Sequence, residues 1–164
     1  MKISARILAA GLLIMGSMGI HAQEAVKGAA DPDALFTSPD PKLNKNKQAA
    51  KKIVVDLLEA GHWDDAGKYL TTRYIQHNPN AKSGLDGVVY FFTKVLKVEP
   101  KPIPEKMKTP VVSVVAEGDL VVVSYAREVK DAKDPTKTYT TTWFDQWRFV
   151  DGKADEHWDS ATLN

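Results

Sequence analysis

The stretch TTWFDQWRFVDGKADEHWD, residues 141–159, decides how this chain is read. Two runs rich in aromatic and β-branched residues flank the turn signal Asp151-Gly152, a pattern that predicts an antiparallel hairpin. Alternation along the first run puts Tyr139, Thr141, Trp143, Asp145, Trp147 and Phe149 on one face, and Phe144, Gln146 and Arg148 on the other. Asp145 therefore sits among rings. A carboxylate on an apolar face is costly unless it is paired, solvated in a cavity or neutralised, which makes it a candidate site residue.

The face shown by the second run depends on the turn. A three-residue loop Val150-Asp151-Gly152, with Gly152 left-handed and a bulge, pairs Asp145 with His157 and Trp143 with Asp159, so two carboxylates and an imidazole enter one cavity. A two-residue turn slips the partner by one residue and splits the trio. The three-residue form is preferred because it gathers the polar groups in one hydratable place and leaves Phe144, Ala154 and Trp158 to share the other face.

Working outward, Val111 to Val115 and Leu120 to Val129 form β-type runs about the turn Glu117-Gly118-Asp119, and Asp131 to Pro135 is a further turn before a long strand from Lys137 to Phe149. Upstream the period changes. Ala49, Ala50, Ile53, Val54, Leu57 and Leu58 mark one stripe of a helix from Asn44 to Ala60, stopped by Gly61. Trp63, Ala66, Tyr69, Leu70 and Tyr74 continue a helical spacing as a second, Gly67-weakened helix that ends before Asn78-Pro79. A third helix starts near Ser83 with Leu85, Val88, Val89, Phe92 and Leu96 inward, and Pro100, Pro102 and Pro104 prevent its extension. Helices first and an antiparallel meander second predict an α+β domain whose sheet curls against the helices around a pocket.

A second polar cluster, Gln76-His77-Asn78, lies just before Pro79. Gln and Asn side chains can fix a substrate oxygen, and His exchanges protons near neutrality. Each of these residues also has an ordinary structural role open to it: His77 as the cap of a helix end, Asp145 with His157 as a partly buried ion pair, Asp159 as a solvated carboxylate, and the tryptophans as core.

The rest of the composition excludes several classes. The chain of 164 residues holds 22 basic and 21 acidic side chains and no cysteine, so disulfides, thiolate catalysis and iron–sulfur clusters are ruled out. Met1–Ala22 reads as a secretory signal peptide, with Lys2 and Arg6 ahead of an apolar run and Ile20-His21-Ala22 at a permissive cleavage site. That run is too short and too glycine-broken for a membrane span. Export to the periplasm or the exterior is expected, with no membrane attachment after cleavage. The near-neutral remainder is no nucleic-acid binder. Residues 23–43, with Pro32, Pro39 and Pro41 and little periodicity, read as a flexible linker, and residues 44–164 as one domain. A metal site from His77, His157 and a carboxylate is chemically possible, but no HExxH or paired ligand spacing supports it, so no metal is expected.

The combination Tyr74-Ile75-Gln76-His77-Asn78-Pro79, Trp147-Arg148-Phe149, Asp151-Gly152-Lys153 and Glu156-His157-Trp158-Asp159 resembles the SnoaL-like polyketide cyclases of the NTF2-like superfamily. The resemblance covers about Asn44 to Asp159. It implies a cone-shaped barrel, a bent antiparallel sheet packed on N-terminal helices around an apolar pocket, often paired as a homodimer through the sheet. It also implies intramolecular aldol chemistry without metal or cofactor, with Asp159 at the position of the family's catalytic aspartate. Asp145 stands where the cyclases carry a histidine, and His157 is the candidate substitute. Two function classes follow. One is an exported acid/base enzyme that moves a proton alpha to a carbonyl of a small apolar molecule, with Asp159, Asp145 and His157 catalytic and Gln76, His77, Asn78, Trp143 and Trp147 binding substrate. The other is a periplasmic module that binds a small ligand and performs no chemistry.

Overall fold

The computed structural model describes residues 24–163. The leader read at residues 1–22 lies outside the described residues. Helix α1 spans Pro41–Lys52 and starts where its residues favour it: Asp40 caps it, accepting from the Leu43 N–H at 2.8 Å, and Pro41 occupies the first turn. The helix then widens into a π-type stretch, Ile53–Glu59, that buries Ile53, Val54 and Leu57. It ends at Gly61, whose φ of +77° suits glycine and whose Cβ would meet Val98 Cγ1 at 2.8 Å. A 3₁₀ turn, Trp63–Lys68, follows, and then strand β1, Leu70–Gln76. Helix α2, Leu85–Tyr90, continues as a π-type turn, Phe91–Val95. Strands β2 (Val111–Glu117), β3 (Leu120–Lys130), β4 (Thr138–Val150) and β5 (Lys153–Asp159) complete the chain.

The five strands form one open sheet in the order β1-β5-β4-β3-β2. It is a mixed sheet: β1 runs parallel to β5, and the other neighbours are antiparallel. The inner face packs on the helical layer around fully buried Phe36, Leu57, Val121, Val123 and Trp147. The α+β class, the first and third helices and both hairpins are as expected, whereas the sheet is not wholly antiparallel and does not close.

Three further expectations differ from the structure. Tyr69 to Tyr74 was expected in a helix and lies mostly in β1. Leu70 and Tyr74 are four apart, a spacing that keeps two residues on one face of a helix and of a strand alike, so period alone could not separate them. Thr71 and Thr72 are the strand-favouring residues between them. Residues 23–43 were expected to be a flexible linker, yet the described part is packed. Phe36 is fully buried, Ala29 N–H donates to Val111 O at 2.7 Å, and Asp33 pairs with Lys51 at 2.7 Å. Its helical part is the single turn Asp33–Phe36, too short to leave a period in the sequence.

The third difference is the register of the last hairpin. The turn holds two residues, Asp151 at φ +51° and Gly152 at φ +86°, the signs of a type I′ turn, so Val150 pairs with Lys153 and Phe149 with Ala154. By itself this register would split the trio. The pairing then shifts at Asp155, an extra residue on β5, so that Trp147 faces His157 and Asp145 faces Asp159. The bulge restores parity. All three groups share the inner face, through a register that neither turn alone produces.

Candidate functional site

The inner face of β4–β5 meets the helical layer around a cavity of about 160 Å³. Its apolar wall comes from Ile53, Leu58 and Val88 of the helices together with Trp63 and Phe92, while Tyr74, Gln76, Trp143, Asp145, Trp147 and His157 project from the sheet. Trp63 stacks on Phe92 with centroids 3.6 Å apart. Trp147 is anchored by donating its indole N–H to the Tyr74 hydroxyl at 3.2 Å. Trp143 donates to Asp145 Oδ1 at 3.2 Å and lies under the Arg127 guanidinium, 4.9 Å from its ring centroid.

Asp145 and His157 are both 7% exposed, and Asp145 Oδ1 lies 3.2 Å from His157 Nε2. The other imidazole nitrogen fixes the proton count. His157 Nδ1 is 2.8 Å from Gln76 Oε1, and that same oxygen accepts the main-chain N–H of Asn78 at 2.9 Å. The amide therefore turns its carbonyl end to the histidine, and Nδ1 is the donor. Nε2 then faces a carboxylate oxygen, a contact between two acceptors unless one proton lies between them. The site thus holds an aspartate–imidazole pair in hydrogen-bond contact, oriented by a glutamine.

Asp159, half-buried, accepts from Asn78 Nδ2 at 2.7 Å and from the Ala161 N–H at 2.9 Å. One ligand atom from each of Asp145, His157 and Asp159 lies within 4.8 Å of the others, a spacing compatible with a cation as well as with a proton. Burial holds the Tyr74 phenol far above its ordinary value, and the nearby Asp145 and Asp159 charges add to that despite the opposing Trp147 hydrogen bond. It is a neutral donor at any ordinary pH. Burial, followed by the Asp145 charge, does the same to Tyr125, whose hydroxyl is buried without a hydrogen-bond partner among the described residues.

Of the site residues read from the sequence, the structure brings Asp145, His157, Asp159, Gln76, Asn78, Trp143 and Trp147 together. It leaves His77 out. Residues 76 and 77 alternate on β1 and its extension, so the His77 ring lies across the sheet, stacked on Trp158 with centroids 5.1 Å apart and bonded to Glu156 Oε1 at 2.9 Å. Gln76 orients an imidazole with its oxygen and keeps only its NH₂ end for a ligand. Tyr74 was missed. Reading residues 70–76 as a strand would have found it, since Tyr74 and Gln76 then share a face.

The chain matches the SnoaL-like domain family over residues 50–157. It belongs to that family. Among solved structures, a candidate SnoaL-like polyketide cyclase from Jannaschia sp. CCS1 aligns with a TM-score of 0.51 at 17% identity, covering 76% of this chain and 91% of that one. A candidate polyketide cyclase from Acidithiobacillus ferrooxidans aligns with a TM-score of 0.50 at 15% identity, covering 70% and 86%. Likeness at this identity concerns the fold. No curated protein sequence matches the chain.

Proposed function

We propose that this SnoaL-like chain is a cofactor-free acid/base enzyme that removes a proton alpha to a carbonyl of a small apolar molecule. The observation that carries the proposal is the buried Asp145–His157 pair, its Oδ1 and Nε2 3.2 Å apart on the wall of a ring-lined cavity. Asp159 is the base: its carboxylate takes the alpha proton while the electron pair moves onto the carbonyl oxygen. That oxygen needs donors as it becomes an enolate, and the Gln76 NH₂ and the Tyr74 hydroxyl supply them. Return of the proton at another carbon gives isomerisation. Attack of the enolate carbon on a second carbonyl gives aldol closure.

The decisive experiment is deuterium incorporation into an enolisable ketone in heavy water, followed by NMR. Asp159→Asn is expected to slow exchange by about 10²–10⁴-fold with folding intact. Equal rates in the two proteins would remove the base assignment, and saturable binding without exchange would make the chain a binding module. The enzyme is exported and pairs with a second copy through its sheet. Export rests on the N-terminal pattern alone, and homodimerisation on the exposed Val115 and Phe144.

A further inference from the structure

We infer that the molecule this cavity takes is an uncharged carbonyl compound with one ring, or an open chain of equal bulk, and not a fused polycycle. That it carries a carbonyl rests on the acid/base reading above; its size and charge rest on the walls.

Size comes first. A buried apolar cavity of about 150 Å³ holds one benzene, whereas drug-sized ligands occupy about 300–1,000 Å³. The 160 Å³ here is one ring and a carbonyl substituent. The walls are also braced against widening. Trp63 and Phe92 lie nearly parallel, 4° apart, in direct contact. Trp147 is held by Tyr74, and Trp143 by Asp145 on one side and Arg127 on the other. Enclosing a second fused ring would require one of these contacts to yield, or the ring to stay at the open mouth beside the exposed Leu58, so the volume limits what the cavity buries.

Charge comes second. Among the described residues, no Lys or Arg lines the cavity. Its one basic group, His157, already faces Asp145, so a carboxylate or phosphate would be buried without a counter-ion. An ammonium group, bulkier than the bare ion or proton that the trio could share, meets carboxylates that already hold partners. Asp145 Oδ1 already receives Trp143 and His157, and Asp159 is engaged by Asn78 and Ala161.

The test is calorimetric titration of the protein with acetophenone (one ring), 1-tetralone (two), fluorenone (three), benzoate and benzylammonium. The expected order is acetophenone, then tetralone, with fluorenone and both ions weaker than acetophenone by at least about tenfold. Trp143→Ala, or Phe92→Leu should that variant not fold, is expected to raise fluorenone affinity at least about tenfold by removing a wall. Fluorenone or either ion binding wild type as tightly as acetophenone would overturn the inference, as would no binding by any ketone. Deuterium exchange read on the same acetophenone complex separates the two readings. Size-limited binding without exchange leaves this inference standing and removes the acid/base chemistry; exchange with no size limit does the reverse.

Discussion

The last hairpin takes part in two histidine–carboxylate pairs, one on each face. On the inner face His157 meets Asp145 at 3.2 Å, both buried, with a glutamine fixing the tautomer; on the outer face His77 meets Glu156 at 2.9 Å, the histidine 44% exposed. Outside, the pair belongs to a chain of charges, since Arg148 bonds both Glu156 and Asp119 and Arg73 bonds Asp155. Solvent screens the His77–Glu156 and Arg148–Asp119 contacts and makes each worth little, whereas the Asp155 end of its pair is buried. Inside, the two groups meet in a place where water is scarce and a ring-sized molecule fits. The pairs are alike in chemistry, and surroundings alone separate structural glue from candidate catalyst.

The comparison breaks most completely if the faces are exchanged. Inserting one alanine between Glu156 and His157 slips the rest of β5 by one residue and turns His157 and Asp159 outward, with Trp158 inward; ketone exchange should vanish, and denaturant unfolding should show a less stable fold because Trp158 leaves its stack on His77. Next in size, Asp145→Asn is expected to slow exchange by about 10²–10⁴-fold, while Glu156→Gln changes it less than about twofold; equal losses would erase the distinction between the faces. Stability should follow the same division. Asp145→Ala leaves a buried imidazole without its acceptor and is expected to cost about 1–3 kcal/mol in urea unfolding, against less than about 1 kcal/mol for Glu156→Ala.

The smallest effect sharpens the outer face through pH. The Arg73 hydrogen bond, then that of Thr71, holds the Asp155 carboxyl below its ordinary 3.8, and the His77 hydrogen bond, then that of Arg148, holds Glu156 below 4.5. Near those values the unfolded chain binds more protons than the folded one, so stability rises with pH across the window. The contribution is complete above the ordinary values and is lost as pH falls through the lowered ones. Melting temperature should therefore drop between about pH 5 and pH 3, and Asp155→Asn should flatten that slope.

Much of this arrangement was legible in the residues. Asp145 among rings pointed to a cavity wall, and Asp151-Gly152 to a hairpin. The bulge was not legible, because nothing in Lys153-Ala154-Asp155-Glu156 distinguishes the residue that will be left unpaired. It is fixed by long-range contacts: Asp155 accepts from Thr71 and Arg73, 84 and 82 residues earlier. Strand β1 was hidden for the same reason, since its identity comes from pairing with β5 rather than from its own spacing. The aspartate, imidazole and second aspartate were thus rightly grouped on one face from a register that is not the observed one. His77 was misplaced because the alternation of β1 was not seen.

The Gln76 oxygen that receives His157 is pinned by a main-chain amide, not by a side chain. Which imidazole nitrogen carries the proton is therefore written into the backbone at position 78. Exchanging the Asn78 side chain would loosen Asp159 and leave that assignment untouched, whereas proline at the same position, which has no amide hydrogen to give, would free the glutamine to flip and reverse the polarity of the whole relay.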